Sequence, residues 1–204
     1  MASALLIIDM QNDFVTAGAP FVVQGAAATL PAAQRLLAGC RERTVPVVHV
    51  TRSYRADGAD VERFRLPDFR RRPGVVTGTP GCEIVAELRP LPGEYCIVKP
   101  RFSAFMGTSL DLLLRRLGVC RVLVCGTQYP NCIRATVMDA VALDYEVTLV
   151  TPATSAQDEA TAAANVSDLA AIGVRCADVT AALQDLDSGA SPPPVQSVGS
   201  RFSK

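Results

Sequence analysis

Short runs of apolar residues alternate along the chain with segments in which apolar residues recur every three or four positions. The runs are typical of strands buried on both faces of a parallel sheet, and the spaced segments are typical of amphipathic helices. The predicted strands cover residues 5–8, 45–50, 95–98, 121–125, 146–150 and 174–176. The predicted helices cover 29–43, with Thr29 as its cap, and 109–117, 130–141, 158–172 and 179–186. Residues 83–88 are predicted to form a short helix and residues 10–14 a loop. This alternation predicts an α/β fold with a parallel sheet and right-handed crossovers.

Two stretches lack this pattern. Residues 51–80 are polar, rich in arginine and without a sustained period, which is typical of a functional loop or of a solvated surface arm. One or two of their arginines could face an anionic substrate group. Residues 188–204 contain three consecutive prolines among serines and glycines, so we predict one domain over 1–187 and a disordered tail over 188–204.

The composition of the chain limits the classes of partner, cellular location and metal site that we expect. The 204 residues carry 20 basic and 20 acidic side chains, so no net charge favours nucleic acid or an anionic membrane as a partner. No apolar run approaches the roughly 20 residues that span a bilayer. Seven cysteines without paired spacing, and no cleavable leader, predict free thiols in a cytoplasmic protein. The single histidine, His49, excludes a multi-histidine metal site and is predicted to be a packed or surface residue without a role.

Three residues with reactive side chains lie where apolar strands end. Asp9 follows the first strand, Lys99 follows the third, and Cys132 falls in the first turn of the helix after the fourth. Because parallel strands end at the same edge of a sheet, we expect these side chains to converge there. A turn residue at a strand end would produce the same position for Asp9, so spacing alone does not decide.

Together these groups suit a thiol hydrolase. Asp9 can take the thiol proton, Lys99 can hold the negative charges, and the backbone N–H of Cys132 can face an oxyanion. The helix N-terminus is expected to lower the pKa of Cys132, and a neighbouring carboxylate is expected to raise it.

Three segments, at 9–14 (Asp-Met-Gln-Asn-Asp-Phe), 99–105 (Lys-Pro-Arg-Phe-Ser-Ala-Phe) and 126–133 (Gly-Thr-Gln-Tyr-Pro-Asn-Cys-Ile), closely resemble the signature segments of the isochorismatase-like cysteine hydrolase superfamily. The resemblance implies a Rossmann-like three-layer fold, a six-stranded sheet with helices on both faces, and an Asp-Lys-Cys triad that cleaves small amides. It also implies a cis peptide bond at Thr127-Gln128, with the N–H of Gln128 beside that of Cys132 in the oxyanion hole. It further implies a homo-oligomer, a dimer or a tetramer.

Departures from the family pattern narrow the substrate. Zinc-dependent nicotinamidases of the superfamily carry an Asp-x-His pair after the second strand, where this chain has Ser53-Tyr54-Arg55. Isochorismatases commonly replace the nucleophile by glycine, whereas this chain has Cys132. The pattern therefore resembles the metal-free ureido and carbamoyl amidohydrolases most, with no cofactor. It also resembles plant proteins described as probable inactive nicotinamidases.

We therefore predict hydrolysis of a terminal amide, ureido or carbamoyl group on a small substrate, through an acyl-enzyme on Cys132. The predicted substrate contacts are Phe14, Arg101, Phe105 and Tyr129, with Arg101 binding an anionic group unless it forms a structural ion pair. Three alternatives stay open at this point: a catalytically silent binding protein with the same fold, a nicotinamidase or isochorismatase, and thiol redox chemistry at a low-pKa cysteine.

Overall fold

The computed structural model describes residues 2–188. One sheet of six strands, all parallel, forms the centre of the molecule, with the order β3-β2-β1-β4-β5-β6. The strands are β1 (Ala2–Ile8), β2 (Val47–Arg52), β3 (Tyr95–Lys99), β4 (Val119–Thr127), β5 (Glu146–Ser155) and β6 (Arg175–Ala177). The predicted six-stranded α/β architecture is confirmed.

The helices lie between successive strands, except the last one described, which follows β6. They are α1 (Asn12–Val15), α2 (Ala26–Glu42), α3 (Leu66–Arg71), α4 (Leu110–Arg116), α5 (Cys132–Ala142), α6 (Glu159–Ala171) and α7 (Val179–Ser188). Two short 3-10 turns, Pro80–Cys82 and Ala86–Leu88, lie before β3. No helix within residues 2–188 is both long enough and apolar enough to cross a bilayer.

Strand β1 separates two hydrophobic cores. Leu5 and Ile7 pack into one core, whereas Leu6 and Ile8 pack into the other, because successive side chains of a strand point to opposite faces. All four side chains are almost completely buried. Since each such side chain stabilises the fold by roughly 1.5–3 kcal/mol, β1 fixes the position of whatever follows it.

The chain reverses its direction of travel across the sheet between β3 and β4. Strands β1, β2 and β3 are laid outward on one side, and β4 then returns to pair with β1 on the other. In open α/β sheets, ligands bind beyond the carboxyl ends of the strands at such a switch point. Asp9 follows β1 and Cys132 follows β4, so both lie at this crevice.

The helices differ from the predicted ranges in several places. Helix α2 begins at Ala26 rather than at 29, and the hydroxyl of Thr29 donates to the carbonyl of Ala26 instead of capping the helix. Pro31 lies inside α2, where its missing N–H leaves the carbonyl of Ala27 without a donor; Ala27 is exposed, so water can serve that carbonyl. Strand β5 extends five residues beyond the predicted end at 150, to Ser155.

Residues 51–80 are not entirely irregular, because they contain α3, whose aromatic residue Phe69 is buried. Residues 10–14, predicted as a loop, include most of α1, and residues 83–88, predicted as a short helix, contain only a 3-10 turn. Helix α7 ends at Ser188, and the rest of the predicted tail lies outside the described residues.

Candidate active site

Asp9, Lys99 and Cys132 meet in the crevice between β1 and β4. Lys99 Nζ lies 2.8 Å from Asp9 Oδ2 and donates a hydrogen bond to Cys132 Sγ at 3.3 Å. A third donor contact, 3.2 Å to the carbonyl of Arg101, completes the surroundings of the ammonium group. All three side chains are buried, and within residues 2–188 the carboxylate of Asp9 has no aligned hydrogen-bond partner. The carboxylate is therefore paired by charge and can still accept a proton.

The backbone at Asp9 holds the carboxylate in place. Asp9 has φ 51°, in the left-handed region, which aspartate enters more readily than most residues. Its N–H donates to the carbonyl of Val50 on β2, and its own carbonyl accepts from Gln11. The chain thus turns sharply at the end of β1 and remains bonded to the neighbouring strand.

Gly126 lets β4 approach β1 closely at the same level. A Cβ atom at this position would lie 2.1 Å from the carbonyl oxygen of Ile8, and the glycine has φ 118°. Only glycine fits this position without displacing the backbone that leads into Asp9.

Cys132 is the first residue of α5, preceded by Asn131 and by two cis peptide bonds, Thr127-Gln128 and Tyr129-Pro130. The predicted cis bond at Thr127-Gln128 is confirmed, whereas the predicted helix start at 130 was two residues too early. Burial raises the pKa of the Cys132 thiol to about 11; the charge of Asp9 also raises this pKa, whereas the charges of Lys99 and Arg52 lower it. The expected lowering by the helix terminus is thus outweighed, and the resting thiol is protonated at neutral pH.

Arg52, the last residue of β2, is a site residue that the sequence analysis did not single out. Its guanidinium is buried, and Nη2 lies 3.9 Å from Cys132 Sγ. Its Nη1 donates to the hydroxyl of Tyr54 at 3.0 Å and to the carboxylate of Glu62. Burial lowers the pKa of Arg52, but its interactions with the carboxylates of Asp9 and Glu62 and with Cys132 and Tyr54 raise it above the ordinary value. A permanent positive charge at the end of β2 therefore faces the sulfur.

Glu62 joins Arg52 to a second arginine. Its carboxylate accepts a hydrogen bond from Tyr54 and lies 3.8 Å from Arg65 Nε. Burial alone would raise the pKa of Glu62, but the hydrogen bond from Tyr54 and the charges of Arg52 and Arg65 lower it below its ordinary value. The carboxylate of Glu62 is already paired with two guanidinium groups, whose positive charges oppose the binding of a divalent cation. No cluster of three metal-ligating side chains occurs within residues 2–188.

Access to Cys132 has two stages. A small inner cavity of about 30 Å³ reaches the sulfur, and an outer bowl of about 640 Å³ opens in front of it. The two spaces share four lining residues, which form the neck between them: Phe21, Arg65, Gln128 and Asn131. The bowl is lined further by residues of the arginine-rich stretch, among them Asp68, Arg71 and Arg72. A substrate could place its reacting group inside and its remaining atoms in the bowl.

Of the four predicted substrate contacts, only Phe14 lines the inner cavity. The guanidinium of Arg101 is exposed and donates to the carbonyl oxygens of Asp60 and Pro100, and Arg101 lines neither the inner cavity nor the bowl. Phe105 stacks on Tyr145 with ring centroids 5.8 Å apart, and Tyr129 is buried in the core. Neither side chain lines the inner cavity or the bowl, and their role as substrate contacts stays a prediction.

Gln128, predicted in the oxyanion hole, lines the cavity beside Cys132. Its carbonyl accepts hydrogen bonds from the N–H groups of Asn131 and Ile133, which fixes the turn into α5. His49 lies away from this cavity, is buried, and contacts Glu94 at 2.9 Å, where Arg41 also bonds the carboxylate. That placement agrees with the packed residue predicted for His49.

A sequence model of the isochorismatase domain matches residues 3–181. Three relatives show the range of named activities. A probable inactive nicotinamidase of Arabidopsis thaliana is 43% identical over 177 residues, which are 85% of this chain and 90% of the relative. A maleamate amidohydrolase of Pseudomonas putida is 35% identical over 68% of this chain and 65% of its own length. A ureidoacrylate amidohydrolase of Pantoea ananatis is 29% identical over 70% of this chain and 65% of its own length.

The solved structures agree with this match. The crystal structure of an isochorismatase family protein from Desulfovibrio vulgaris superposes with a TM-score of 0.88 at 53% sequence identity. The superposition covers 92% of this chain and 98% of that protein.

Proposed function

Because this chain belongs to the isochorismatase family of hydrolases, and its relatives include amidohydrolases, we propose that it is a cysteine hydrolase that cleaves a C–N bond of a small amide, ureido or carbamoyl substrate. The observation that carries the proposal is the buried arrangement of Lys99 Nζ 2.8 Å from the carboxylate of Asp9 and 3.3 Å from the sulfur of Cys132.

The proposed reaction begins with the transfer of the thiol proton from Cys132 to Asp9. The sulfur then bonds to the substrate carbonyl carbon, and the N–H groups of Cys132 and Gln128 stabilise the negative oxygen. Asp9 returns the proton to the leaving nitrogen as the C–N bond breaks, so ammonia or an amine departs and a thioester remains on Cys132. Asp9 then takes a proton from water, whose oxygen bonds to the thioester carbon. The C–S bond breaks, the acid departs, and Asp9 returns the proton to the sulfur of Cys132.

Lys99 and Arg52 have different parts in this scheme. The raised pKa of Cys132, about 11, means that the thiolate is costly until a substrate is present. Lys99 contacts both the proton donor and the proton acceptor, so its charge offsets the negative charge wherever the proton lies. Arg52 adds a second positive charge at 3.9 Å from the sulfur without giving up its bonds to Tyr54 and Glu62.

Ammonia release from a panel of small amides, ureido acids and carbamoyl acids tests the proposal. We expect turnover by the native chain, its loss in Cys132→Ala, and its retention in the matched control Cys96→Ala, which removes an exposed cysteine from β3. A covalent adduct on Cys132, detected by mass spectrometry of the quenched enzyme, should accompany turnover. Equal ammonia release by Cys132→Ala would defeat the proposal.

A second candidate is a non-catalytic binding protein, which the name of the 43% identical Arabidopsis relative favours. The two candidates differ in what Cys132→Ala does to a ligand. A binding protein would keep its affinity for a small amide in this variant and would release no ammonia with Cys132 present. The hydrolase would instead bind the intact amide stably only when Cys132 is replaced.

A further inference from the structure

Two arginines line the cavity that contains Cys132, and their donors are used differently. Arg52 is fully engaged: one terminal nitrogen bonds Tyr54 and Glu62, and the other faces Cys132. Its guanidinium is buried, so it has little freedom to turn toward another group. Arg52 therefore completes the existing site and is not available to a ligand.

Arg65 is held in position but has free donors. Its guanidinium carbon lies 5.3 Å from the ring centroids of both Phe21 and Phe64, and its side chain is 17% exposed. Within residues 2–188 its guanidinium donates no hydrogen bond that the structure shows, and its buried Nε has only the ion-pair contact with Glu62 at 3.8 Å. Arginine carries five N–H donors in a planar fork, which suits a carboxylate or another planar anion.

The location of Arg65 places these donors on the substrate path. Arg65 lines both the inner cavity and the outer bowl, so it lies at the neck on the path from the bowl to Cys132. The rings of Phe21 and Phe64 limit the motion of the guanidinium, which reduces the entropy lost when it binds a ligand.

The charges around the cavity do not balance. The cations Arg52, Arg65 and Lys99 face the carboxylates of Asp9 and Glu62, and the thiol of Cys132 is neutral at rest. Moving the thiol proton to Asp9 leaves this total unchanged. One positive charge therefore remains in a shielded site throughout the proposed reaction, and a substrate with one negative charge would neutralise it.

We propose that Arg65 is the anion-binding residue of the site and that the substrate is a short acid. Its carboxylate binds the guanidinium of Arg65 at the neck, and the amide, ureido or carbamoyl group at its other end enters the inner cavity over Cys132. The identity of the reacting group rests on the proposed function; the anion site does not. The bowl arginines Arg71 and Arg72 are less suited, because they already bond Asp68 and the carbonyl of Gly18.

Alkylation of Cys132 by iodoacetate and by iodoacetamide tests the anion site without requiring any turnover. The two reagents form the same S–C bond and release iodide, and they differ in one negative charge. Rates are read at the Cys132 peptide by mass spectrometry in the native chain, Arg65→Met and Arg65→Lys. Arg70→Met is the matched control, since Arg70 lies on the same stretch but is exposed and lines neither space.

We expect Arg65→Met to lower the ratio of the iodoacetate rate to the iodoacetamide rate about tenfold, as for the loss of one charge-assisted contact. Arg65→Lys should keep the ratio within about threefold of the native value, and Arg70→Met within about twofold. A misfolded variant would show itself by a faster iodoacetamide rate, because Cys132 would be exposed. An unchanged ratio in Arg65→Met, or an equal loss with both reagents, would overturn the proposal.

Kinetics separate the anion site from the hydrolase activity. If the native chain releases ammonia from an amide acid such as maleamate, Arg65→Met should raise KM at least tenfold for the acid and less than twofold for its methyl ester, with kcat similar. If no amide is turned over, the hydrolase proposal fails, and the alkylation ratio still decides whether Arg65 binds anions.

Discussion

The site around Cys132 has two sides, the strand wall and the segment wall, which the chain builds in different ways. The strand wall consists of Asp9, Lys99 and Cys132. Asp9 directly follows β1, Lys99 is the last residue of β3, and Cys132 begins the helix after β4. The segment wall consists of Glu62 and Arg65, together with Tyr54, all from the stretch between β2 and the first 3-10 turn. The strand wall is fixed by sheet register and by two hydrophobic cores, whereas the segment wall is fixed by its own ion pairs and ring contacts.

This difference suggests a division of roles, in which the strand wall carries out the reaction and the segment wall determines which substrate binds. Groups that must exchange a proton need positions held to fractions of an ångström, and the centre of a parallel sheet supplies such rigidity. Groups that choose among substrates can lie on a connecting stretch, where substitution alters the site without disturbing the sheet. We therefore expect changes in the strand wall to abolish activity and changes in the segment wall to alter which substrate is preferred.

The largest effect is expected for Lys99→Met in the strand wall. The substitution leaves the buried carboxylate of Asp9 without its cation, which should lower the free energy of unfolding by about 3–5 kcal/mol. It should also lower kcat by at least about a thousandfold, as for loss of a member of a catalytic unit. Urea unfolding and ammonia release measure the two effects.

The double variant Asp9→Asn with Lys99→Met is the control for this result. It replaces both charges, so most of the lost stability should return while activity stays absent. If Lys99→Met alone were as stable as the native chain, the pair would not be a buried ion pair in solution.

The pH dependence of alkylation at Cys132 is the next largest effect. Burial and the charge of Asp9 raise the pKa of Cys132 from 9.0 to about 11, so the thiolate fraction should rise about ninetyfold between pH 8 and pH 10. A thiol of ordinary pKa near 9 would gain only about tenfold over this range. The rate with neutral iodoacetamide follows this fraction.

Asp9→Asn sharpens the same measurement. Removing the carboxylate removes a cause of the raised pKa, while Lys99 and Arg52 remain to stabilise the thiolate. The alkylation profile should therefore shift to lower pH. A shift to higher pH, or none, would mean that Asp9 does not act on the sulfur through its charge.

The smallest effect is expected in the segment wall, for Glu62→Gln. Because the pKa of Glu62 lies below its ordinary value, its carboxylate is ionised at neutral pH, and the substitution removes one negative charge beside Arg65. The iodoacetate to iodoacetamide rate ratio should rise about threefold, and stability should fall by about 1–3 kcal/mol as Arg52 loses a charge-assisted hydrogen bond.

Asp68→Asn is the matched control for Glu62→Gln. It removes one negative charge from the exposed rim of the bowl, where salt and water screen it, so the ratio should change less than about 1.5-fold. Equal responses of the two variants would show that the bowl as a whole attracts anions, and not the neck.

The strand wall could be predicted from the sequence because apolar runs mark the strands and each reactive residue stands at the end of one. Asp9, Lys99 and Cys132 were brought together as the pattern indicated. Arg52 was missed since the predicted strand ended at 50, and a buried arginine at the end of a strand looks like the first arginine of a loop.

The segment wall could not be predicted in the same way. Residues 51–80 have no period from which the direction of a side chain follows, and seven arginines in that stretch gave no reason to prefer Arg65. Its position depends on Phe21 and Glu62, which are 44 and three residues away in the chain. Phe105 and Tyr129 show the converse, because membership in a signature segment does not reveal which side chains pack against the core.

The protonated thiol of Cys132 has one more consequence. Peroxide and stray electrophiles attack thiolates, so a cysteine kept neutral in a cavity of about 30 Å³ is shielded from oxidative inactivation between encounters with its ligand. The exposed Cys96 on β3 has no such enclosure. Under mild oxidant, Cys96 should therefore be oxidised before Cys132, the residue on which the proposed chemistry depends.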